Sequence, residues 1–191
     1  MSRSHGLQST TEEQLVAWSA SGDRRAFDEL VLRYGPYALR VAARIVQNRA
    51  LAEDVAQEAF VRCWSQIHRF DPRQARFTTW LYRIVVNLCI DLKRRPEPEP
   101  LPEDFDRIDA GADAEEMMEY SERDTLLARA LSDLPMRQRA ALTLVYDQGL
   151  SGAEAARVLG STVKAVERLL ARARAYLRIR LRSRQPAESD R

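Results

Sequence analysis

Ser151-Gly152-Ala153-Glu154-Ala155-Ala156-Arg157-Val158-Leu159-Gly160-Ser161-Thr162-Val163-Lys164-Ala165-Val166-Glu167-Arg168-Leu169-Leu170-Ala171-Arg172 is the stretch on which the reading of this chain turns. Ser151 and Glu154 have the S-x-x-E form of a capping box, which opens a short helix through Leu159. Gly160 supplies a left-handed turn, and Ser161 is placed to cap a second helix from Thr162 to about Arg182. A short helix, a glycine turn and a longer basic helix make a helix-turn-helix. In the second helix Val163, Val166, Leu170, Ala173 and Leu177 recur at alternating steps of three and four and form an inward face. Lys164, Glu167, Arg168, Ala171 and Arg172 fall on the outward one. In a major groove Arg or Lys pairs with guanine and Glu accepts from cytosine. Arg174, Arg178, Arg180, Arg182 and Arg184 continue the charge toward phosphate or an acidic protein surface. The bland alternative is a solvated amphipathic helix with surface arginines.

Upstream of this motif, one helix is expected from Tyr120 to Leu131. Pro135 is suited to the first turn of another that ends around Gly149. Further back, Arg95-Pro96-Glu97-Pro98-Glu99-Pro100-Leu101-Pro102 ends a helix and cannot restart one. Alternating proline stiffens that segment, and residues 103–116 are acidic with few apolar side chains. Residues 96–116 are therefore read as a flexible Pro- and acid-rich linker holding two helical domains apart. The expected fold is all-α: an N-terminal bundle over 1–95, the linker, a helix-turn-helix domain over 117–184 and a tail over 185–191.

The N-terminal domain reads as four helices. Thr11-Glu12-Glu13 begins one that stops at Gly22, and Asp23 caps the next, with Phe27, Leu30, Val31, Tyr34, Ala38, Val41 and Ile45 as its apolar stripe. The third runs from about Ala50 to His68 on Val55, Ala56, Ala59, Phe60, Cys63 and Ile67, until Phe70-Asp71-Pro72 breaks it. The fourth spans about Thr78 to Arg94 and turns Leu81, Ile84, Val85, Leu88 and Leu92 inward.

The net charge of +2 conceals a segregation. Residues 1–95 carry 15 Lys and Arg against 10 Asp and Glu, residues 96–124 carry 2 against 12, and residues 125–191 carry 13 against 6. Two basic flanks around an acidic centre suggest a polyanionic partner, and the acidic linker should discourage DNA binding by the free chain. Hydrophobic residues make up 45% of the chain, enough for a packed core. No apolar run approaches the ~20 residues of a membrane span. The polar start, Met1 to Thr11, lacks a secretory signal, so a cytoplasmic protein is expected. Cys63 and Cys89 are too few for a disulfide framework and read as small core side chains. The only histidines are His5 and His68. Without a phosphate loop, metal-ligand spacing or nucleophile motif, an enzyme, a cofactor, a metal site and a small-molecule substrate are not expected.

Two more surfaces carry functional signals. Around Phe70-Asp71-Pro72-Arg73-Gln74-Ala75-Arg76-Phe77-Thr78-Thr79-Trp80, basic, polar and aromatic residues interleave. Such a loop grips single-stranded DNA, with Arg on phosphate and aromatics stacking on bases. Phe77 and Trp80 are alternatively core residues that close the bundle, the reading preferred for Trp80. Arg83, Asn87, Asp91 and Arg94 follow as a polar stripe along the next helix. On the third helix Asp54, Gln57 and Glu58 share a face flanked by Phe60 and Trp64, an acidic patch suited to a protein partner; simple helix-dipole placement of Asp54 is the alternative.

Several of these segments together resemble a known family. Asp23-Arg24-Arg25-Ala26-Phe27, Ala52-Glu53-Asp54 with Gln57, Glu58 and Phe60, Trp80-Leu81 with Ile84, Asn87 and Asp91, Leu134-Pro135 with Arg139, and Arg172-Ala173-Arg174-Ala175-Tyr176-Leu177 resemble the sigma-70 superfamily of RNA polymerase subunits. The resemblance is to its extracytoplasmic-function group and covers roughly residues 12–95 and 120–182. It implies that Asp54, Gln57, Glu58, Phe60 and Trp64 dock on core polymerase. It implies that Arg73, Gln74, Arg76, Phe77, Thr78, Thr79, Arg83 and Asn87 melt and read the −10 promoter element. Ser161, Thr162, Lys164, Ala165, Glu167, Arg168 and Arg172 would read the −35 element, and an anti-sigma factor would be a partner. The long additional domains of housekeeping members are not expected. Where many members carry Lys-Ser-Arg in the last helix, this chain has Glu167-Arg168-Leu169. A stand-alone operator-binding regulator would explain the C-terminal half alone, and a helical scaffold would not explain the segregated charge.

Overall fold

The structure, a computed structural model, describes residue 7, residues 9–92 and residues 122–182. Among the described residues every regular element is helical, and no helix is long and apolar enough to cross a membrane. The expected linker 96–116, the tail 185–191, Met117, Tyr120, Arg94 and Arg184 lie outside the described residues.

Local chemistry places the N-terminal helices much as expected. Helix α1 (Glu12–Ala20) opens on a capping box, in which the Gln14 backbone N–H donates to the Thr11 hydroxyl and the Gln14 side chain accepts from the Thr11 N–H. Gly22, at φ 92, turns the chain, and Asp23 caps α2 (Arg24–Val46) by accepting from the N–H groups of Arg25 and Ala26. Asn48 caps α3 (Arg49–Gln66), which tightens into a 3-10 turn at Ile67–Arg69. After the break at Phe70-Asp71-Pro72 comes α4 (Phe77–Leu92).

These helices bury Leu15, Phe27, Leu30, Val41, Ile45, Val55, Cys63, Leu81 and Val85 in a common core. Burial pushes the thiols of Cys63 and Cys89 up to about 12. Helix α4 is buried more widely than expected. Besides Leu81, Val85 and Leu88 it buries Tyr82, Val86 and Cys89, leaving Arg83, Asn87 and Asp91 exposed. At 100° per residue its apolar arc spans roughly 200°, about twice what one packing partner requires.

The second partner is the C-terminal unit: α5 (Glu122–Ser132), α6 (Met136–Leu142), a π-helical turn (Thr143–Asp147), α7 (Gly152–Val158) and α8 (Val163–Arg182). Pro135 is the extended residue before α6, at ψ 139, not a member of its first turn. The Ser151–Glu154 capping box forms as expected and Gly160 takes φ 56. The cap of α8 is Thr162, whose hydroxyl accepts from Ala165 N–H at 3.2 Å, not Ser161. Helices α4 and α2 pack against α6, α7 and the π turn, and one apolar cluster runs through both units. The two helical units expected from the sequence are present and touch each other, since α4 carries more apolar surface than the bundle alone can cover.

The capping box makes a prediction. Hydrogen bonds from the Ser151 hydroxyl and backbone, with the charges of Arg76 and Arg157 nearby, hold the Glu154 carboxyl below the usual carboxylate range. A carboxylate lowered by folding stabilises above its unfolded value, and the benefit disappears as pH falls through the folded value. Ser151→Ala should cost about 1 kcal/mol at neutral pH. The gap between denaturant melts of that variant and of the unaltered chain should also narrow in acid, leaving the part due to the pH-independent bond from the Glu154 N–H to the Ser151 hydroxyl.

Candidate nucleic-acid interface

The start of α8 presents Thr162, Lys164, Glu167, Arg168 and Arg172 to solvent as one strip, with Ser161 and Ala165 half-buried at its edge. Val166, Leu170 and Ala173 are buried beneath it. Val163, expected inward, is exposed, with its Cγ1 3.6 Å from where a Cβ on Gly152 would lie. Further along, Arg180 pairs with Asp133 at 2.8 Å and the Tyr176 hydroxyl donates to the same carboxylate at 3.0 Å. These hydrogen bonds, Arg180 first, hold the Asp133 carboxyl below its ordinary value. Arg180 thus fastens α8 to the α5–α6 turn while its side chain stays exposed.

The loop before α4 is shaped by Asp71. Its carboxylate accepts from the Arg73 backbone N–H at 2.9 Å and from the Gln74 side chain at 3.1 Å, an Asx turn. Those bonds hold the Asp71 carboxyl down and leave Arg73, Gln74 and Arg76 exposed. Arg83 and Asn87 are exposed farther along α4, and Thr78 is half-buried.

Two of the residues expected to face DNA do not. Phe77 is 1% exposed, with Tyr34, Phe70 and Trp80 rings 5.3, 6.0 and 5.9 Å from its own. Thr79 is 6% exposed. Phe77 points into the closing aromatic cluster, because the helix begins there and its first turn must cover the bundle end, whereas Thr79, on the opposite side of that turn, is buried at the wall of the cleft between the units. The core alternative, preferred for Trp80, applies to Phe77.

On α3, Asp54, Gln57 and Glu58 are exposed, and Glu58 accepts from Arg62 at 2.7 Å. Phe60, expected on that face, is 8% exposed and packs edge-on against Phe27 at 6.3 Å. Trp64 is 38% exposed and lies 4.9 Å from Phe27. With Arg24, Asp28 and Val61 these aromatics line a groove of about 310 Å³ beside the acidic residues. Phe60 forms part of this wall, not part of an open face.

The loop and the helix-turn-helix meet. A cleft of about 510 Å³ has Arg69, Phe70, Gln74, Thr79, Trp80 and Arg83 on one side. Ala156, Arg157, Gly160 and Ser161 stand on the other. Sequence reasoning missed Arg69 and Arg157, which lie outside the motifs; the breadth of apolar residues on α4 was the available signal that a second unit covers it.

Comparison with known proteins assigns both units to family models. Residues 30–97 match Sigma-70 region 2 and residues 124–177 match Sigma-70, region 4. The ECF RNA polymerase sigma factor SigE of Mycolicibacterium smegmatis is 36% identical over 170 residues, covering 85% of this chain and 65% of its own length. The RNA polymerase sigma-H factor of Pseudomonas aeruginosa is also 36% identical, over 88% of this chain and 92% of its own. The structure of CnrH in complex with the cytosolic domain of CnrY matches with a TM-score of 0.68 at 32% identity, covering 91% of this chain and 99% of that one.

The burial of Phe77 separates packing from recognition. Phe77→Ala should cost about 3–5 kcal/mol in denaturant unfolding. Phe77→Leu, which keeps an apolar side chain at the site, should bind single-stranded DNA as the unaltered chain does. An affinity loss in the leucine variant with its fold intact would return Phe77 to the DNA surface.

Proposed function

The chain belongs to the sigma-70 family, in its extracytoplasmic-function group, and from that membership we propose how its surfaces divide the work of starting transcription. It directs core RNA polymerase to promoters, and binding energy, not chemistry, drives strand separation; the chain is no enzyme and works in the cytoplasm beside the polymerase. The observation that carries the reading is the exposed strip on α8 together with the exposed Arg73, Gln74, Arg76, Arg83 and Asn87 around the start of α4. One is a helix suited to a major groove; the other is a cationic and amide surface suited to displaced single strand. On this reading residues 1–95 hold polymerase and the −10 element, 96–116 link, and 117–184 hold the −35 element.

In the −35 duplex Lys164, Arg168 and Arg172 supply cationic donors and Glu167 accepts from a base edge, with Ser161, Thr162 and Ala165 at the rim. At −10, Arg73, Arg76 and Arg83 hold phosphate while Gln74, Thr78 and Asn87 offer hydrogen bonds to unstacked bases. Asp54, Gln57 and Glu58, with Trp64 and the edge of Phe60, form the polymerase-docking surface. Acidic residues there are repelled by promoter phosphate, which sorts the two partners onto different faces. CnrH is solved with the cytosolic domain of CnrY against it; a protein partner that covers these same surfaces, an anti-sigma factor, is proposed for this chain.

Run-off transcription with core polymerase and a genomic promoter pool tests the reading. Initiation at defined sites is the expected result; a chain that binds duplex DNA but neither associates with core polymerase nor starts RNA would be an independent regulator. Asp54→Ala with Glu58→Ala should impair polymerase binding in a pull-down while leaving the circular dichroism spectrum unchanged. Arg168→Ala should weaken −35 duplex binding by about 1–3 kcal/mol with polymerase binding intact. With about 6–10 phosphate contacts, promoter affinity should fall roughly 10³–10⁵-fold between about 50 and 200 mM salt.

A further inference from the structure

We propose that Arg33 and Tyr34 of α2, by clasping the segment that leads from Leu7 into α1, set the pose of the loop that reads the −10 element. They are positioning residues for strand capture and lie outside the surface proposed to meet DNA. The inference rests on the functional reading above.

Arg33 holds two backbone groups of that segment at once. Its Nη2 donates to the Leu7 carbonyl at 2.7 Å and its Nη1 to the Thr10 carbonyl at 2.8 Å. Its Nε donates to the Glu29 carboxylate at 2.8 Å, which aims the guanidinium from its own helix. The fork is planar and rigid, so donors spent on two carbonyls and a carboxylate fix the segment in one place. The Thr10 N–H in turn donates to the Leu7 carbonyl at 3.1 Å, and Leu7 packs against the apolar core. One residue further along α2, the Tyr34 hydroxyl donates to the Glu12 carboxylate. Burial, and then that carboxylate, hold the Tyr34 phenol above its ordinary value, so it stays a donor at neutral pH. Glu12 is the first residue of α1, next to the Thr11 cap.

The clasp reaches the loop through aromatic rings. The Tyr34 ring lies 5.3 Å from that of Phe77, and Phe77 meets Phe70 edge-on at 6.0 Å. Phe70 and Phe77 stand at the two ends of the loop, so their contact closes its base. Both also meet Trp80, at 5.1 and 5.9 Å. Phe70 and Trp80 then line the cleft beside Gln74 and Arg83. Helix α1 packs in addition on the turn Ile67–Arg69 that runs into the loop.

Within itself the loop is fastened by the Asx turn at Asp71 and by the Gln74 N–H on the Asp71 carbonyl at 3.1 Å. Those bonds shape the loop but do not orient it on the bundle. Its orientation is set at Phe70 and Phe77, and Phe77 is seated against Tyr34. Close-packed rings leave little free volume, so a shift of Tyr34 is passed on to Phe77 and from there to the loop.

The test uses the full chain assembled with core polymerase and carrying Arg33→Met and Tyr34→Phe together. Methionine keeps an apolar stem and phenylalanine keeps the ring against Phe77, so the segment is released without emptying the core. Ile45→Val is the comparison, a buried residue of the same helix about three turns and 16 Å beyond Tyr34. It lowers stability at a distance from the loop. Affinity for a single strand carrying the −10 element of a promoter found by run-off should fall roughly 5- to 20-fold in the clasp variant. Each lost hydrogen bond shifts the placement of the loop by about fivefold. Affinities for the −35 duplex and for core polymerase should match those of the unaltered chain, and Ile45→Val should keep all three. The slope of log affinity against log salt should also be unchanged. A slope shallower by about 0.7 means that Arg33 itself holds a phosphate, and overturns the clasp. Unchanged single-strand affinity overturns it too, and so does an equal loss in Ile45→Val, which reduces the effect to stability. Run-off transcription by the unaltered chain is measured alongside. Initiation at defined sites with a failed clasp test leaves the promoter-directing role standing and removes the positioning role; no initiation sinks the functional reading itself.

Discussion

Helix α4 carries more apolar surface than one neighbour can hide, and the arrangement of the whole molecule follows from that constraint. Leu81, Val85 and Leu88 enter the N-terminal bundle, while Tyr82, Val86 and Cys89 widen the buried arc well beyond one face. Exposed apolar surface costs free energy in proportion to its area. The helix is therefore satisfied only when α6 and α7 also pack beside it. Its remaining polar stripe, Arg83, Asn87 and Asp91, is narrow, and it continues directly from the loop at Arg73–Arg76. The helix that joins the two halves is thus also the one that carries the side chains proposed to meet nucleic acid.

This economy has a cost in accessibility. A buried tyrosine hydroxyl, that of Tyr82, and a partly satisfied guanidinium, that of Arg139, are poor glue but good specifiers of geometry, because each demands one partner at one place. Around the cleft such polar contacts sit on an apolar cluster that is continuous through both units, and together they fix one placement of the units. On α3, an acidic strip is exposed beside an aromatic groove, on a face separate from the cleft. A protein partner has access there without entering the cleft between the units.

Much of the candidate site was legible in the sequence because it is local. The Ser151–Glu154 capping box, the Gly160 turn and the 3-4 spacing along α8 depend on residues within one or two turns of each other, so short-range sterics and hydrogen bonding place them correctly. Even there, the choice of Thr162 over Ser161 as cap needed the position of the first helical N–H groups. Family resemblance added which faces matter, since composition alone allowed a simple amphipathic helix.

What remained open were the questions whose answers lie across long sequence separations. Whether Phe77 faces a base or a core depends on Tyr34 and Phe70, brought beside it by the bundle. Whether Phe60 is a docking residue or a groove wall depends on Phe27, a helix away. The sequence by itself determined the helices, the caps at Asp23 and Ser151, the segregated charge and the two-unit plan, all consequences of near-neighbour chemistry. Only the tertiary structure decided that the two units touch, because Tyr82 and Gln148 are 66 residues apart and their pairing is set by the shared burial of α4, which no local pattern encodes.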